Sequence, residues 1–248
     1  MNPIRVIPWQ HEITRQSHRD IIAFLSTIRS GTHLGLEISQ AEKQAYVLAL
    51  REPAFLKEKI LRLPREQLVQ ILSGIKVLHI CIERGIQIHP LESERAMKII
   101  QRANVKRTTM TPRDEMRDYA LRENGMLEEF KSATRKGSVS IPYILTSPMH
   151  ASNLIHILTR RGLRAILFVK PFSNPKNMHT ICESVHLRRK ALREGKEREY
   201  EAAGKKIQEA VRRDRTFPLR TVQPKLVAQI VSRPFVPAKP RKRRRTQR

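Results

Sequence analysis

The sequence predicts a mostly α-helical protein in three parts: a helical domain over residues 1–135, a small α/β unit with a long charged helix over 136–215, and a disordered basic tail over 216–248. Three observations lead to this prediction. Apolar residues recur at helical spacing through the first half of the chain. Glycine occurs only nine times in 248 residues, too rarely for a turn-rich all-β fold. Hydrophobic residues make up 40% of the chain, which is enough to form a core.

The clearest helix of the first half is predicted from Pro64 to Gly85. Proline suits the first turn of a helix, and glycine suits the left-handed residue just past its end. Between them the apolar residues form one wide stripe at spacings of three and four: Leu68, Ile71, Leu72, Ile75, Leu78 and Ile82. We therefore expect this whole segment to be helical.

Further helices are predicted on either side of this segment. Residues 10–30 carry an amphipathic pattern, and Ser39 with Glu42 forms a capping box ahead of an apolar run. Another helix begins at Thr111, because a threonine followed by proline and aspartate is typical of a helix start. We expect that helix to end at Gly125.

The pattern changes over residues 138–145, where apolar and polar or small side chains alternate as in a half-buried strand. Pro142 lies inside this run and predicts an edge strand or a bulge, because proline cannot donate a ladder hydrogen bond. A helix over 147–162 and a more buried strand over 163–169 follow. One long charged helix is then predicted over 178–214.

Charge is the strongest functional signal in the chain. Lys and Arg total 49 against 23 Asp and Glu, so the net charge is +26. A surplus of this size repels itself in a compact protein and is commonly neutralised by a polyanion. We therefore predict a nucleic-acid-binding protein, with RNA favoured over DNA because recognition-helix and zinc-finger motifs are absent from the sequence. An anionic membrane surface is the alternative partner, and no transmembrane segment is expected.

Basic residues cluster at three places in the C-terminal half of the chain. One cluster lies at the end of the helix predicted over 147–162, and another lies on the long charged helix. Together they predict nucleic-acid contacts at Arg160, Arg161, Arg164, Arg188, Arg189, Lys190 and Arg193. The third cluster indicates a nuclear localisation signal or further nucleic-acid contacts in the tail: Lys239, Arg241, Lys242, Arg243, Arg244 and Arg245. Glutamates interspersed on the charged helix leave open that its cations only form intrahelical ion pairs.

The sequence predicts neither a metal site nor a catalytic site. His179, Cys182 and His186 share one helix face, but zinc needs a fourth ligand that no nearby cluster supplies. Motifs for phosphate loops, dinucleotide binding, zinc proteases and nucleophile elbows are absent, so we expect no enzymatic activity and no cofactor. The alternative is an enzyme that uses the carboxylates of residues 114–123 with a divalent metal.

Two short stretches, Val139-Ser140-Ile141-Pro142-Tyr143 and Gly162-Leu163-Arg164-Ala165, together resemble a segment that follows the polymerase region in proteins of Penelope-like retroelements. The resemblance covers a small part of the chain, needs a gap and brings no catalytic motif. It therefore implies no activity for this protein.

Other features bear on the compartment and on alternative functions. Two widely separated cysteines fit a reducing compartment, and acidic residues near the start argue against a secretory signal. We predict a nuclear or nucleo-cytoplasmic protein whose tail is recognised by a nuclear import receptor, with a mitochondrial location as the alternative.

Two further functions fit the composition. One is a structural component of a ribonucleoprotein, such as a viral nucleocapsid or matrix protein or an organellar ribosomal protein. The other is a nuclear regulatory protein that acts through a protein partner.

Overall fold

The computed structural model describes residues 2–9, 16–55, 58–59, 62–63, 65–105, 111–135 and 139–213. In chain order the elements are β1 (Ile4–Pro8), α1 (Gln16–Thr27), β2 (His33–Leu36), α2 (Gln40–Arg51), α3 (Pro53–Phe55), α4 (Arg65–Glu83), β3 (Gln87–Pro90), α5 (Glu94–Val105), α6 (Pro112–Arg135), β4 (Tyr143–Thr146), α7 (Pro148–Arg160), β5 (Ala165–Leu167), α8 (Pro175–Arg193) and α9 (Glu197–Arg213). Helices contain most of these residues, which confirms the mostly α-helical class. The predicted tail lies outside the described residues.

The strands of the described residues form one parallel sheet with the order β3-β2-β4-β1-β5. Strand β4 lies at its centre, although it is the fourth strand along the chain. Ile144 and Leu145 of β4 pair with Val6 and Ile7 of β1, and β2 pairs with β4 on the other side. The sheet therefore joins strands from both sides of residue 135, where the sequence pattern predicts a domain boundary.

The two faces of the sheet pack against two separate layers of helices. In β1, Ile7 belongs to a core with α1, α2 and α4, whereas Val6 belongs to a core with α6 and α7. In β4, Leu145 and Ile144 divide between the same two cores. Helix α8 contributes to both layers and packs along α9.

Three of the five strands lie in the region for which the sequence predicts only helices. Each is four or five residues long. A parallel strand covered on both faces has no alternation of polar and apolar residues, so a short run such as residues 4–8 carries no strand signature. Helical periodicity in the longer neighbouring segments therefore dominates the pattern.

The expectation that Pro142 marks an edge strand is wrong. Strand β4 begins after it, at Tyr143, and lies in the middle of the sheet. Pro142 needs no ladder hydrogen bond of its own there, and its carbonyl oxygen accepts one from the Arg5 backbone N–H at 2.9 Å. The proline thus precedes a central strand and does not interrupt it.

The predicted end of α6 at Gly125 is also wrong, since the helix continues to Arg135. A Cβ atom at Gly125 would lie 2.7 Å from Ser93 Cβ and 3.2 Å from Ala96 Cβ. Glycine is present here because α5 crosses close to α6. Sequence alone cannot distinguish such a packing glycine from one that ends a helix.

Several predicted helix ends are confirmed, but the long charged helix is not continuous. Ser39 and Glu42 form the expected capping box, and Gly85 and Gly162 adopt positive φ angles of 68° and 78°. In contrast, the helix expected over 178–214 divides into α8 and α9 at Gly195, whose φ is 67°. None of the helices in the described ranges combines the length and apolar character needed to cross a bilayer.

Candidate functional site

Polar side chains collect at the edge of the sheet where the parallel strands end. Trp9 follows β1, Glu37 follows β2, Glu92 comes shortly after β3, and Ser147 follows β4. The chain runs outward from β1 to β3 and then returns to β4, so the neighbouring strands β2 and β4 lead into helices on opposite faces. Such a change of direction opens a crevice at the carboxyl ends of the strands, where α/β proteins commonly bind ligands.

Glu37 is the centre of this edge and is buried, although it carries a carboxyl group. The Thr146 hydroxyl donates a hydrogen bond to Glu37 Oε2 at 2.6 Å, and the backbone N–H of Ser147 donates to the same oxygen. Ser147 is the N-cap residue of α7. The Glu37 carboxylate therefore occupies the position in which a helix N-terminus would otherwise attract a bound anion.

Arg122 of α6 connects Glu37 to a second carboxylate, Glu92. Its Nη2 atom lies 2.9 Å from Glu37 Oε1 and 2.6 Å from Glu92 Oε1. Burial raises the pKa of Glu92; Arg122 opposes this shift, while the charges of Glu37 and Glu42 add to it. One guanidinium group thus lies among three carboxyl groups.

A second buried ion pair joins α6 to α8. Arg189 forms a bidentate contact with the fully buried Glu123: Nη2 donates to Oε2 at 3.0 Å, and Nη1 donates to Oε1. His150 Nδ1 lies 3.1 Å from Glu123 Oε1, and Asn153 donates to Oε2. The Tyr119 ring contacts His150 edge-on and lies 4.9 Å from the Arg189 guanidinium.

His150 links the two ion pairs into one buried polar network. Its Nε2 atom lies 3.7 Å from Glu37 Oε1, on the opposite side of the ring from Glu123. The network thus connects the ends of β2 and β4 with α6, α7 and α8. Because each carboxylate in it has cationic or hydrogen-bonding neighbours, it holds charge in the protein interior and fixes these elements relative to one another.

A cavity of about 250 Å³ lies against the Glu37–Arg122–Glu92 part of the network. Its walls also include the side chains of Trp9, Tyr46 and Ile71, and it is referred to below as the carboxyl-edge cavity. On this wall the Tyr46 ring packs on Gly74, where a Cβ atom would lie 2.6 Å from Tyr46 Cε2. The cavity therefore combines an ionised side with an aromatic and aliphatic side.

The predicted nucleic-acid contacts fall into two groups in the structure. The exposed ones are Arg160, Arg161, Arg164, Lys190 and Arg193. The other two are held by the fold. Arg188 lies 3.7 Å from Glu115 and stacks on the Tyr200 ring at 4.4 Å, and Arg189 is buried on Glu123. We therefore leave Arg189 out of any surface that contacts a ligand.

The exposed outer side of α7 and α8 carries four basic side chains that lie near one another: His156, His186, Lys190 and Arg193. We call them the α7–α8 basic surface. Burial lowers the pKa of His186, and the charges of Arg193, His156 and Lys190 lower it further. Mutual repulsion of this kind indicates a positive potential at this surface.

The remaining predicted features do not form a site within the described residues. Cys182 is buried, and burial raises the pKa of its thiol to about 12, whereas His179 is exposed beside Glu183. Among the described residues there is no group of His, Cys, Asp or Glu arranged to hold a metal. The tail cations at 239–245 lie outside the part of the chain that the structure describes.

The carboxylates at the start of α6 are engaged in local hydrogen bonds. Asp114 Oδ2 accepts hydrogen bonds from the backbone and the hydroxyl of Thr111. Glu115 accepts hydrogen bonds from the hydroxyls of Tyr119 and Tyr200. Asp114 and Glu115 thus have separate hydrogen-bond partners and do not converge on a common point.

Sequence reasoning missed the residues that form the buried network. Glu37 had a signal, because a carboxylate placed directly after a short apolar run can lie at the end of a buried strand. Arg122 and His150 had none, since their helices place them by tertiary packing that no local spacing reveals.

Comparison with protein-family models, with curated proteins and with solved structures found no match to this chain. The resemblance of residues 139–165 to a retroelement segment therefore has no support from these comparisons.

Proposed function

We propose that this protein binds nucleic acid, with RNA favoured over DNA, through phosphate contacts from exposed basic side chains around α7 and α8 and from the basic residues at 239–245. The proposal includes no enzymatic step and no cofactor. The observation that carries it is the α7–α8 basic surface in a chain whose net charge is +26. Phosphates that replace condensed counterions at such a surface gain free energy from counterion release.

Two features of the α7–α8 basic surface support phosphate contact. Its Lys190 and Arg193 are exposed, and they can reach a ligand without rearrangement of the helices. The Lys190 ammonium lies 4.0 Å from Glu194 at the end of the same helix, so a ligand phosphate would compete with that exposed ion pair. The pKa of His186 is lowered first by burial and then by the nearby charges of Arg193, His156 and Lys190. A bound phosphate would relieve the repulsion among these charges.

A second basic region extends the proposed contact at the other end of α7. Arg160, Arg161 and Arg164 are exposed there, next to the turn into β5. The charges of Arg161, Lys131 and Arg135 act together on Glu128, so these cations are neighbours. A phosphate backbone could follow the helix layer from one region to the other.

The test compares two double charge reversals in the full chain. Lys190→Glu with Arg193→Glu should weaken binding of a short single-stranded RNA by about tenfold or more at low salt, and should lower the salt slope by about 1 to 2. Lys205→Glu with Lys206→Glu, on the exposed side of α9, makes the same change in net charge. This control should lose much less affinity. Fluorescence anisotropy with labelled RNA and DNA measures both.

Two results would contradict the proposal. The nuclease-treated protein could fail to bind RNA and DNA at low ionic strength, which would remove the proposed ligand. Alternatively, both double variants could lose the same affinity, which would show that total charge acts without a defined surface.

A further inference from the structure

We propose that an aromatic patch on one face of the sheet binds the bases of single-stranded RNA. The patch consists of Arg5, Tyr143, Ile166 and Phe168 on the sheet and Phe24 of α1, and it is called the β-face patch. This inference rests on the proposed function, because base contacts would accompany the proposed phosphate contacts. Arg5 and Tyr143 lie near the amino ends of β1 and β4, away from the carboxyl-edge cavity.

Strand register places the sheet residues of the β-face patch side by side. Arg5 of β1 lies opposite Tyr143 of β4 and Ile166 of β5. Phe168 follows two residues after Ile166, so the alternation of side chains along a strand directs both to the same face. Tyr143 and Phe168 pack against the core that includes α1, whereas the intervening Leu167 packs against the other core. The four side chains therefore form one surface across β4, β1 and β5.

The rings of the β-face patch pack around the Arg5 guanidinium. Its Cζ atom lies 5.5 Å from the centroid of the Tyr143 ring and 5.3 Å from that of the Phe168 ring. Phe24 meets the Tyr143 ring edge-on at 5.6 Å and the Phe168 ring at 5.9 Å. These contacts hold the planar groups in place before a ligand arrives, which lowers the entropic cost of binding.

The helix layer does not close the β-face patch. Ile166 is 43% exposed, although it is a large apolar residue. Phe24, Tyr143 and Phe168 are half-buried, so part of each side chain reaches the solvent. Aromatic surface of this kind is what proteins that bind single-stranded nucleic acid use for stacking bases.

The charge of Arg5 favours an RNA base and its phosphate over an apolar ligand. Among the described residues, its side chain donates a hydrogen bond to Tyr143 Oη at 3.0 Å and forms no ion pair with a carboxylate. A guanidinium group has several N–H donors, so donors remain for the acceptor atoms of a base or a phosphate. Unpaired RNA bases stack both on aromatic rings and on the guanidinium plane of arginine.

The second basic region borders the β-face patch. Arg164 directly precedes β5, and its carbonyl oxygen accepts a hydrogen bond from the Ile4 backbone N–H at 2.7 Å. Arg164 therefore lies close to Arg5 in the strand pair, and it is exposed, as are Arg160 and Arg161 at the end of α7. A phosphate backbone held at these arginines would bring its bases within reach of the patch.

Two ligands separate base contact from phosphate contact. The bases of duplex RNA are paired and stacked within the helix, so they cannot pack on a protein ring unless they leave it. An abasic strand keeps the phosphates but has no base to stack. A surface that binds phosphates alone would not prefer single-stranded RNA to either of these ligands.

The test measures the affinity of the full chain for three ligands of equal length: a single-stranded RNA, its abasic counterpart and an RNA duplex. We expect the single-stranded RNA to bind about tenfold more tightly than the abasic strand, because its bases stack on the β-face patch. It should also bind more tightly than the duplex, although the duplex carries more charge. Fluorescence anisotropy with labelled ligands measures all three affinities.

Variants assign this preference to the β-face patch. Tyr143→Leu keeps an apolar side chain against the core but removes the ring, and it should lower the preference for RNA over the abasic strand by about fivefold or more. Tyr143→Phe keeps the ring and should retain the preference. Tyr200→Leu removes a ring that also stacks on an arginine, but on α9, and should retain it too. None of these changes alters the charge, so the salt slope should stay that of the wild type.

Cross-linking of the unaltered protein provides a second measurement that does not depend on how the variants fold. A single-stranded RNA that contains iodouridine forms photochemical cross-links to aromatic side chains that stack on the modified base. We expect the cross-linked peptides, identified by mass spectrometry, to contain Tyr143 or Phe168.

The results distinguish failure of this inference from failure of the proposed function. Equal affinity for the single-stranded RNA and the abasic strand would overturn the base contact while the phosphate contacts remain. An absence of binding to all three ligands would contradict the proposed function, and this inference with it. Equal losses of preference in Tyr143→Leu and Tyr200→Leu, or cross-links confined to other peptides, would also overturn the role of the β-face patch.

Discussion

Glu123 has no exposed surface, yet its surroundings favour the ionised carboxylate. Burial alone would raise its pKa, but hydrogen bonds from His150 and Arg189, together with their charges, bring it below the ordinary value of 4.5. Removing one partner of such a pair leaves an uncompensated buried charge, which commonly costs about 3–5 kcal/mol. Loss of either Glu123 or Arg189 should therefore destabilise the protein by more than the intact ion pair stabilises it.

Glu123→Gln should lower the free energy of unfolding by about 3 kcal/mol at neutral pH, because it leaves Arg189 buried without a counter-ion. A lowered pKa in the folded state contributes stability above the ordinary pKa of the carboxyl group. That contribution disappears as the pH falls through the lowered value. The difference in the free energy of unfolding between the wild type and the variant should therefore become smaller below about pH 4.5. Urea unfolding monitored by circular dichroism across this range measures it.

Glu209→Gln is the matched control for this experiment, since Glu209 is exposed on α9. It should unfold like the wild type at each pH. A Glu123→Gln variant whose deficit stays constant down to the acid range would show that this carboxylate is not the titrating group.

Arg189 also shows why composition misassigns individual residues. Arg188, Arg189 and Lys190 are equivalent as basic letters, but successive residues on a helix point about 100° apart. The structure accordingly holds one in an aromatic stack, buries the next and exposes the third. The apolar stripe through Cys182 and Val185 continues onto position 189, so helical phase contained a signal that the charge pattern concealed.

Among the elements, long amphipathic helices could be predicted from the sequence and short strands could not. Helix α4 repeats an apolar stripe over several turns, and its end at Gly85 is confirmed by a positive φ. Strand β2 has four residues, and its Gly35 lies where a Cβ atom would meet Leu91 Cδ1 at 2.6 Å. Four residues are too few to establish a period, and a glycine in a strand lowers any strand preference further. The site at the carboxyl edge depends on these strands, so it could not be predicted either.

Two helical glycines predict opposite effects of the same substitution. Gly204→Ala in α9 should raise the free energy of unfolding by about 1 kcal/mol, because alanine is the better helix former and nothing lies within 4 Å of the new Cβ. Gly125→Ala in α6 should instead lower it by about 1–3 kcal/mol, because the new Cβ overlaps Ser93 Cβ of the crossing chain.

Urea midpoints of the two alanine variants test this pair directly. The two proteins should differ in the sign of their shift while keeping similar unfolding slopes. Stabilisation by Gly125→Ala would mean that α5 and α6 do not approach as closely as the described contacts require.

Over the whole molecule, charge is divided between an acidic interior edge and basic outer surfaces. The carboxyl groups around the cavity are buried or half-buried, whereas most of the described cations on α7–α9 are exposed. Positive charge at the surface speeds encounter with a polyanion. The composition indicates the positive outer surface. It does not indicate the inner acidic edge, because residues distant in sequence form that edge.

Deleting residues 239–248 removes seven of the 49 Lys and Arg residues. We expect the truncated protein to bind RNA more weakly, with a smaller salt slope, because fewer phosphates can be neutralised. Its thermal unfolding should remain cooperative at a similar midpoint. In cells, we expect reduced nuclear accumulation of a fluorescent fusion. Retention of full RNA affinity and of nuclear accumulation would contradict both roles of the tail.

The placement of β4 between β1 and β2 has a consequence for how the chain folds during synthesis. Strands β1 and β2 are not neighbours in the sheet, and β4, which lies between them, is made more than a hundred residues after β1. A nascent chain that has been made as far as residue 135 still lacks β4, the strand that joins β1 to β2. Apolar strand edges would then stay uncovered until translation is well advanced, and chaperones that shield such edges would have most to do in this interval.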